Sequence, residues 1–171
     1  MTDLRAPSVQ IWFDDLAVII GNERLPLAEV KADSHIHGAL NFLISGRQLP
    51  HLGFFSFNDV CAGTWLHELD AMVRAFVSSS ECRYVFDEGE QGQPAFVFER
   101  AGELAFVSVC DAEYSGGSAD PEWQRVECVS EDLIAACLAA RKKFEKDLAH
   151  GAGREALTWL ECLFGVGMRD G

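Results

Sequence analysis

Apolar and polar positions change period several times along the chain, and each change marks an element. The segments "VQIWF" (9–13) and "LAVIIG" (16–21) are apolar, β-branched or aromatic. They predict two strands separated by a turn at Asp14–Asp15. Gly21-Asn22-Glu23 predicts another turn. From Leu25 to Gly46, "LPLAEVKADSHIHGALNFLISG", alternation is imperfect, and Pro26 argues for an edge position or a strand start. Strand character resumes after Gly38 in "ALNFLIS", and "GRQLP" closes it. Connections this short exclude crossover helices and predict antiparallel pairing.

The period then lengthens to 3.6. "FNDVCAGTWLHELDAMVRAFVSSS" predicts a helix over 58–78, capped by Asn58 or Asp59 and ended by serines 78–80. Trp65, Leu66, Leu69, Met72, Val73, Phe76 and Val77 form its apolar stripe. Four alternating strands follow at 83–88, 95–100, 104–111 and 123–129, and "Arg-Ala-Gly-Glu" turns the second directly into the third. Ser130 is the expected cap of a second helix, with Glu131 and Asp132 in its first turn. Leu133, Cys137, Ala140 or Arg141, Phe144 and Leu148 are its buried stripe, and Gly151 and Gly153 break it. A short third helix, "REALTWLECLFG", is expected to turn Leu157, Leu160, Leu163 and Phe164 inward. Strands, helix, four strands, helix and helix in that order predict one α+β domain over 1–171: N-terminal strands over 1–57, a β-meander over 83–129 and helices over 130–165.

Composition adds three constraints. The chain has 171 residues, 49% of them hydrophobic, enough for a sizeable core. No apolar run approaches the roughly 20 residues of a membrane span, and the start lacks the order of a secretory signal. Six cysteines (61, 82, 110, 128, 137, 162) are scattered without a Cys-x-x-Cys pair, so a reducing cytoplasm is expected rather than a disulfide framework. Those at 110, 128, 137 and 162 sit among apolar neighbours, as small hydrophobes do.

Candidate chemistry is sparse. "KADSHIHGAL" resembles the first metal-binding strand of amidohydrolases, and on a strand His35 and His37 face the same side. That reading requires a third ligand and a barrel of roughly 250 residues, and the chain has neither. A metal-dependent hydrolase using His35 and His37 is therefore the alternative reading, and no metal or other cofactor is expected. Cys61 and His67, six apart on the expected first helix, do not share a face. Glycines 89 and 92, or 116 and 117, are not followed at once by a helix, as a phosphate loop would be. The carboxylate pairs Asp14–Asp15, Asp87–Glu88 and Glu131–Asp132 could supply acid–base groups, but adjacent carboxylates on a strand point apart. No catalytic residue is assigned, and the chain reads as a non-enzyme.

Charge changes the picture most. Net charge is −13, and residues 81–132 alone carry thirteen acids against Arg83, Arg100 and Arg125. Such a field repels nucleic acid and attracts a basic protein. The turns of the meander carry Asp87, Glu88, Glu90, Asp111, Glu113, Asp120 and Glu122, with Tyr114 and Trp123 among the last four. Acids steer encounter and aromatics anchor it, so these nine residues are the expected partner-binding face.

The stretch "WLHELDAMVRAF…YVFDEGEQGQPAFVFERAGELAFVSV", followed by a Trp-led strand and a final helix, resembles the WapI-type immunity proteins of bacterial polymorphic toxin systems. The likeness covers 8–148 and is best at 65–109. It implies a cytoplasmic, non-enzymatic protein that binds and neutralises a cognate toxin.

Overall fold

The computed structural model of the protein describes residues 8–53, 58–89 and 92–165. Its antiparallel sheets and three helices make an α+β fold with a four-stranded meander. The chain divides into two compact units, one of Met1–Ile11, Phe42–His51 and Asp70–Cys137, the other of Trp12–Asn41, Leu52–Leu69 and Leu138–Gly171.

The first sheet is built from β1 (Val9–Ile20), β2 (Glu23–Leu25), β3 (His35–Ile44), β4 (Arg47–Gln48) and β5 (Asp59–Cys61), ordered β2-β1-β3-β4 with β5 also on β3. The expected turn at Asp14–Asp15 does not form, and β1 runs through it as one strand. Asp14 is held there by its side chain, which accepts hydrogen bonds from Trp12 Nε1 at 2.7 Å and Asn41 Nδ2 at 3.0 Å. Asp15 takes a left-handed φ of 51°, which an acidic residue tolerates better than a branched one. Gly21 and Asn22 make the two-residue hairpin between Ile20 and Glu23. Pro26 ends β2 at the sheet edge and leads into a 3-10 turn at Leu27–Glu29.

α1 covers Ala62–Ser78. It starts later than expected because residues 59–61 pair with β3 instead, with His37 opposite Cys61, Gly38 opposite Val60 and Ala39 opposite Asp59. Asp59 is therefore a strand residue, not a helix cap. Trp65, Leu66, Leu69, Met72, Val73 and Phe76 are buried as the stripe requires, whereas Val77 is exposed.

The second sheet is the expected meander: β6 (Glu81–Phe86), β7 (Ala95–Ala101), β8 (Leu104–Cys110) and β9 (Val126–Val129), each antiparallel to the next. One face carries Phe86, Phe96, Phe98, Val107 and Val109 into the core. Phe42 stacks on Phe98 with centroids 6.2 Å apart. α2 (Ser130–Ala152) buries Leu133, Cys137, Ala140, Phe144 and Leu148. Ser130 does not act as a side-chain cap: it is fully buried, and its Oγ has no hydrogen-bond partner among the described residues. Asp132 is the first-turn carboxylate that is used, accepting from Ser8 N at 3.0 Å and Ser8 Oγ at 2.6 Å.

α2 extends past Gly151, where a Cβ would come within 2.7 Å of the Leu27 side chain. Gly153, at φ 59°, ends it. α3 (Glu155–Phe164) buries Leu160 as expected and leaves Leu163 and Phe164 half-buried. Leu157 is exposed and Trp159 is buried in its place, because the indole packs on Phe144 at 5.7 Å and donates to Ser34 O at 2.8 Å.

Candidate functional site

Two clusters bear on function, one in each unit. In the first unit, two acidic loops are joined to one another. Asp87 accepts the Gly89 N–H at 3.1 Å and the Glu113 N–H at 2.9 Å, which ties the loop after β6 to the loop after β8. Gly92 N donates to Ser115 O at 2.9 Å, and Ser115 Oγ donates to Gln93 O. Gly117 lies so near this strand of backbone that a Cβ there would stand 2.0 Å from Gln93 O. Asp111 accepts the Ala119 N–H at 2.8 Å, folding the second loop back on itself.

Asp120 accepts from Glu122 N and from His51 Nε2, each at 2.9 Å. These bonds hold its carboxyl below the usual value, the Glu122 amide contributing most. Arg47 donates to Glu122 O at 3.1 Å and places its guanidinium 5.0 Å from the Trp123 ring centroid. Three of the nine expected partner-binding residues, Asp87, Asp111 and Asp120, thus spend their carboxylates on loop architecture. Glu113, Tyr114 and Glu122 are exposed, and Glu88 is half-buried. Tyr114 is 77% exposed. The Glu113 carboxylate beside it raises the phenol above its usual value.

Trp123 is 4% exposed. It begins no strand, since β9 starts at Val126, and it fixes the loop from inside through its carbonyl, which accepts from Val109 N at 2.8 Å. Glu90 lies outside the described residues. Arg47 and His51 are the members that sequence reasoning missed. Their signal was faint, two basic residues in a strand-closing segment far from the acids they meet.

In the second unit, His35 and His37 share the open face of β3, as alternation requires. His37 Nδ1 lies 3.2 Å from Asp59 Oδ2, and Arg24 holds Asp59 Oδ1 at 3.0 Å. Cys61 is on β5 opposite His37 rather than on α1 with His67. A cleft of about 250 Å³ opens beside them, lined among others by His35, Cys61, Thr64, Trp159 and Cys162. Cys162 is exposed there rather than packed as a small hydrophobe, and all six thiols are free. Among the described residues no three of His, Cys, Asp and Glu converge as a metal site, and no helix is long and apolar enough to cross a membrane. The chain matches no family model, no curated protein and no solved structure.

Proposed function

We propose that the protein neutralises a bacterial toxin by binding it as an immunity protein, and that the acidic loops 87–90 and 111–123 are the face that meets it. The partner is a basic protein domain. The observation that carries this reading is the division of labour among the carboxylates. Asp87, Asp111 and Asp120 bond backbone amides of the loops, which leaves Glu113, Tyr114 and Glu122 exposed on loops held by hydrogen bonds. A preordered frame loses little entropy on binding. The net charge of residues 81–132 speeds encounter with a basic domain and repels nucleic acid. Tyr114 supplies the aromatic contact that Trp123, being buried, does not. The resemblance to WapI-type immunity proteins points to the same class, and the reducing cytoplasm suits a chain with six free thiols.

The test looks for a neighbouring gene with a variable C-terminal toxin domain and uses that domain, catalytically inactivated and purified. Combining Glu113→Lys, Tyr114→Ala and Glu122→Lys should slow association about tenfold or more and flatten its salt dependence. Failure of the unmodified protein to bind that domain rejects the immunity reading. Binding that the triple variant leaves unchanged rejects the face.

A further inference from the structure

The open face of β3 and β5 gathers a thiol, an imidazole and a carboxylate that sequence reasoning did not connect. His37 and Cys61 are directly opposed across the antiparallel pair, and Asp59 is two residues before Cys61. Opposed side chains share one face, with Cβ atoms about 4.5–5.5 Å apart. That face is accessible: Ile36, Gly38 and Val60 are buried between these residues, whereas His37, Asp59 and Cys61 are partly exposed and His35 is exposed.

The hydrogen bonds then select a tautomer. Arg24 occupies Asp59 Oδ1 and leaves Oδ2 to His37 Nδ1. An ionised carboxylate only accepts, so Nδ1 carries the proton and the lone pair of the neutral ring lies on Nε2. That is the tautomer a general base needs, with a carboxylate fixing the ring from behind. Cys61 also stands immediately before α1, whose first-turn residues Gly63 and Thr64 line the same cleft as Cys61. First-turn amides have no partner within their own helix and point out of its N-terminal end, where a developing oxyanion could meet them. Gly63 brings the backbone close to the indole, since a Cβ there would meet Trp159 Cζ2 at 3.4 Å.

We propose that Cys61 is the nucleophile of an acyl-transfer site in which His37 is the base and Asp59 its positioning residue. The substrate class is an ester or thioester whose acyl group lies against Trp159 and Leu163. His37 Nε2 takes the thiol proton as Cys61 Sγ bonds to the acyl carbon; the bond from that carbon to the leaving oxygen or sulfur breaks, and His37 returns the proton to the departing group. Water then attacks the Cys61 thioester while His37 takes its proton. A carboxylic acid leaves, and the thiol regains its hydrogen from His37. No redox partner enters either half. The inference does not depend on the toxin reading, because neither set of residues enters the other's test.

The full chain is mixed with p-nitrophenyl acetate at neutral pH, with release of p-nitrophenolate and the acetylated residues followed by time-resolved peptide mass mapping. The expected result is one rapid equivalent of p-nitrophenolate with the acetyl group on Cys61, at least about tenfold ahead of Cys162, an exposed thiol of the same cleft. Cys61→Ser should remove the rapid phase. His37→Gln should slow it about a hundredfold, and Asp59→Asn should slow it and displace its pH profile, which a purely structural change would not do. Acetylation of Cys162 or of lysines before Cys61 in the unmodified protein overturns the assignment, without reliance on any variant. So does a Cys61 rate unaltered in folded His37→Gln protein.

Discussion

His51 and Asp120 are joined at 2.9 Å, Nε2 to carboxylate, across 69 residues of sequence. The same carboxylate accepts the Glu122 amide at 2.9 Å, so one side chain closes the 120–122 turn and pins it to the end of the segment that follows β4. Both bonds favour the charged form and hold its carboxyl below the ordinary 3.8.

A carboxyl whose folded-state value is depressed contributes stability above its unfolded value, and that contribution is lost as pH falls through the folded one. Asp120→Asn removes the contribution at all pH values. The gap between wild-type and variant urea midpoints should therefore be constant near neutrality and close as pH falls below about 3.8. A gap that persists at strongly acidic pH would show that the carboxylate's charge is not what secures the turn.

The two acidic loops meet at Gly117, where the backbone of Gln93 and Pro94 leaves no room for a side chain: a Cβ would lie 2.0 Å from Gln93 O and 2.4 Å from Pro94 N. Backbone atoms cannot rotate aside. Gly117→Ala should cost about 3 kcal/mol, the upper part of the overpacking range. Gly116→Ala is the comparison, with φ at 74° but nothing within 4 Å of its Cβ. It should cost only the left-handed penalty of about 1–2 kcal/mol. Chemical denaturation of both variants checks the order.

Two buried thiols bear on stability at alkaline pH. Cys128 is pushed up to about 12, chiefly by burial, and Cys137 is raised further for the same reason. Unfolded thiols ionise near 9.0 while these stay protonated. Stability is thus intact below 9.0 and falls as pH rises towards the folded-state values, by about 1.4 kcal/mol per pH unit for each thiol. Cys128→Ala and Cys137→Ala, compared with wild type between pH 8 and 11 (roughly, the range the linkage spans), should each flatten that decline. An unchanged slope would exclude the thiols as its cause.

What could be read along the chain was what local periodicity encodes. The stripe from Trp65 to Phe76 and the stripe from Leu133 to Leu148 lie buried as spaced, and the meander forms with strands displaced by at most a few residues at their ends. The misreadings share a cause, which is that long-range partners outbid local signals. Asp59 carries a helix-cap signal, yet pairing with Ala39 draws it into a strand, where Arg24 and His37 take its carboxylate. Leu157 and Trp159 are both apolar, and only the packing of the indole on Phe144 decides which turns inward. Trp123 sits among polar residues and resembles a surface anchor until Arg47 is seen over its ring. The His37–Cys61 pairing depends on a strand register, and no spacing of 24 residues announces one.

Arg47 offers a test of loop order against charge. Its guanidinium stands 5.0 Å from the Trp123 ring centroid and donates to Glu122 O at 3.1 Å, so it holds the acidic loop while offsetting part of its negative field. Arg47→Met keeps an unbranched apolar stem over the indole but removes both the hydrogen bond and the charge. On the proposed reading, two effects on the basic partner then oppose each other. The more negative face should associate faster at low salt, because steering grows with charge. The loosened loop should dissociate faster, because ordering it is now part of the cost of binding. Hydrogen exchange at Asp120–Trp123 should rise in the unbound variant, which separates loop loosening from any change in contact. Stopped-flow association and dissociation rates measured at two salt concentrations check the pair of effects. Slower association together with unchanged exchange would mean that Arg47 touches the partner itself rather than ordering the face that does.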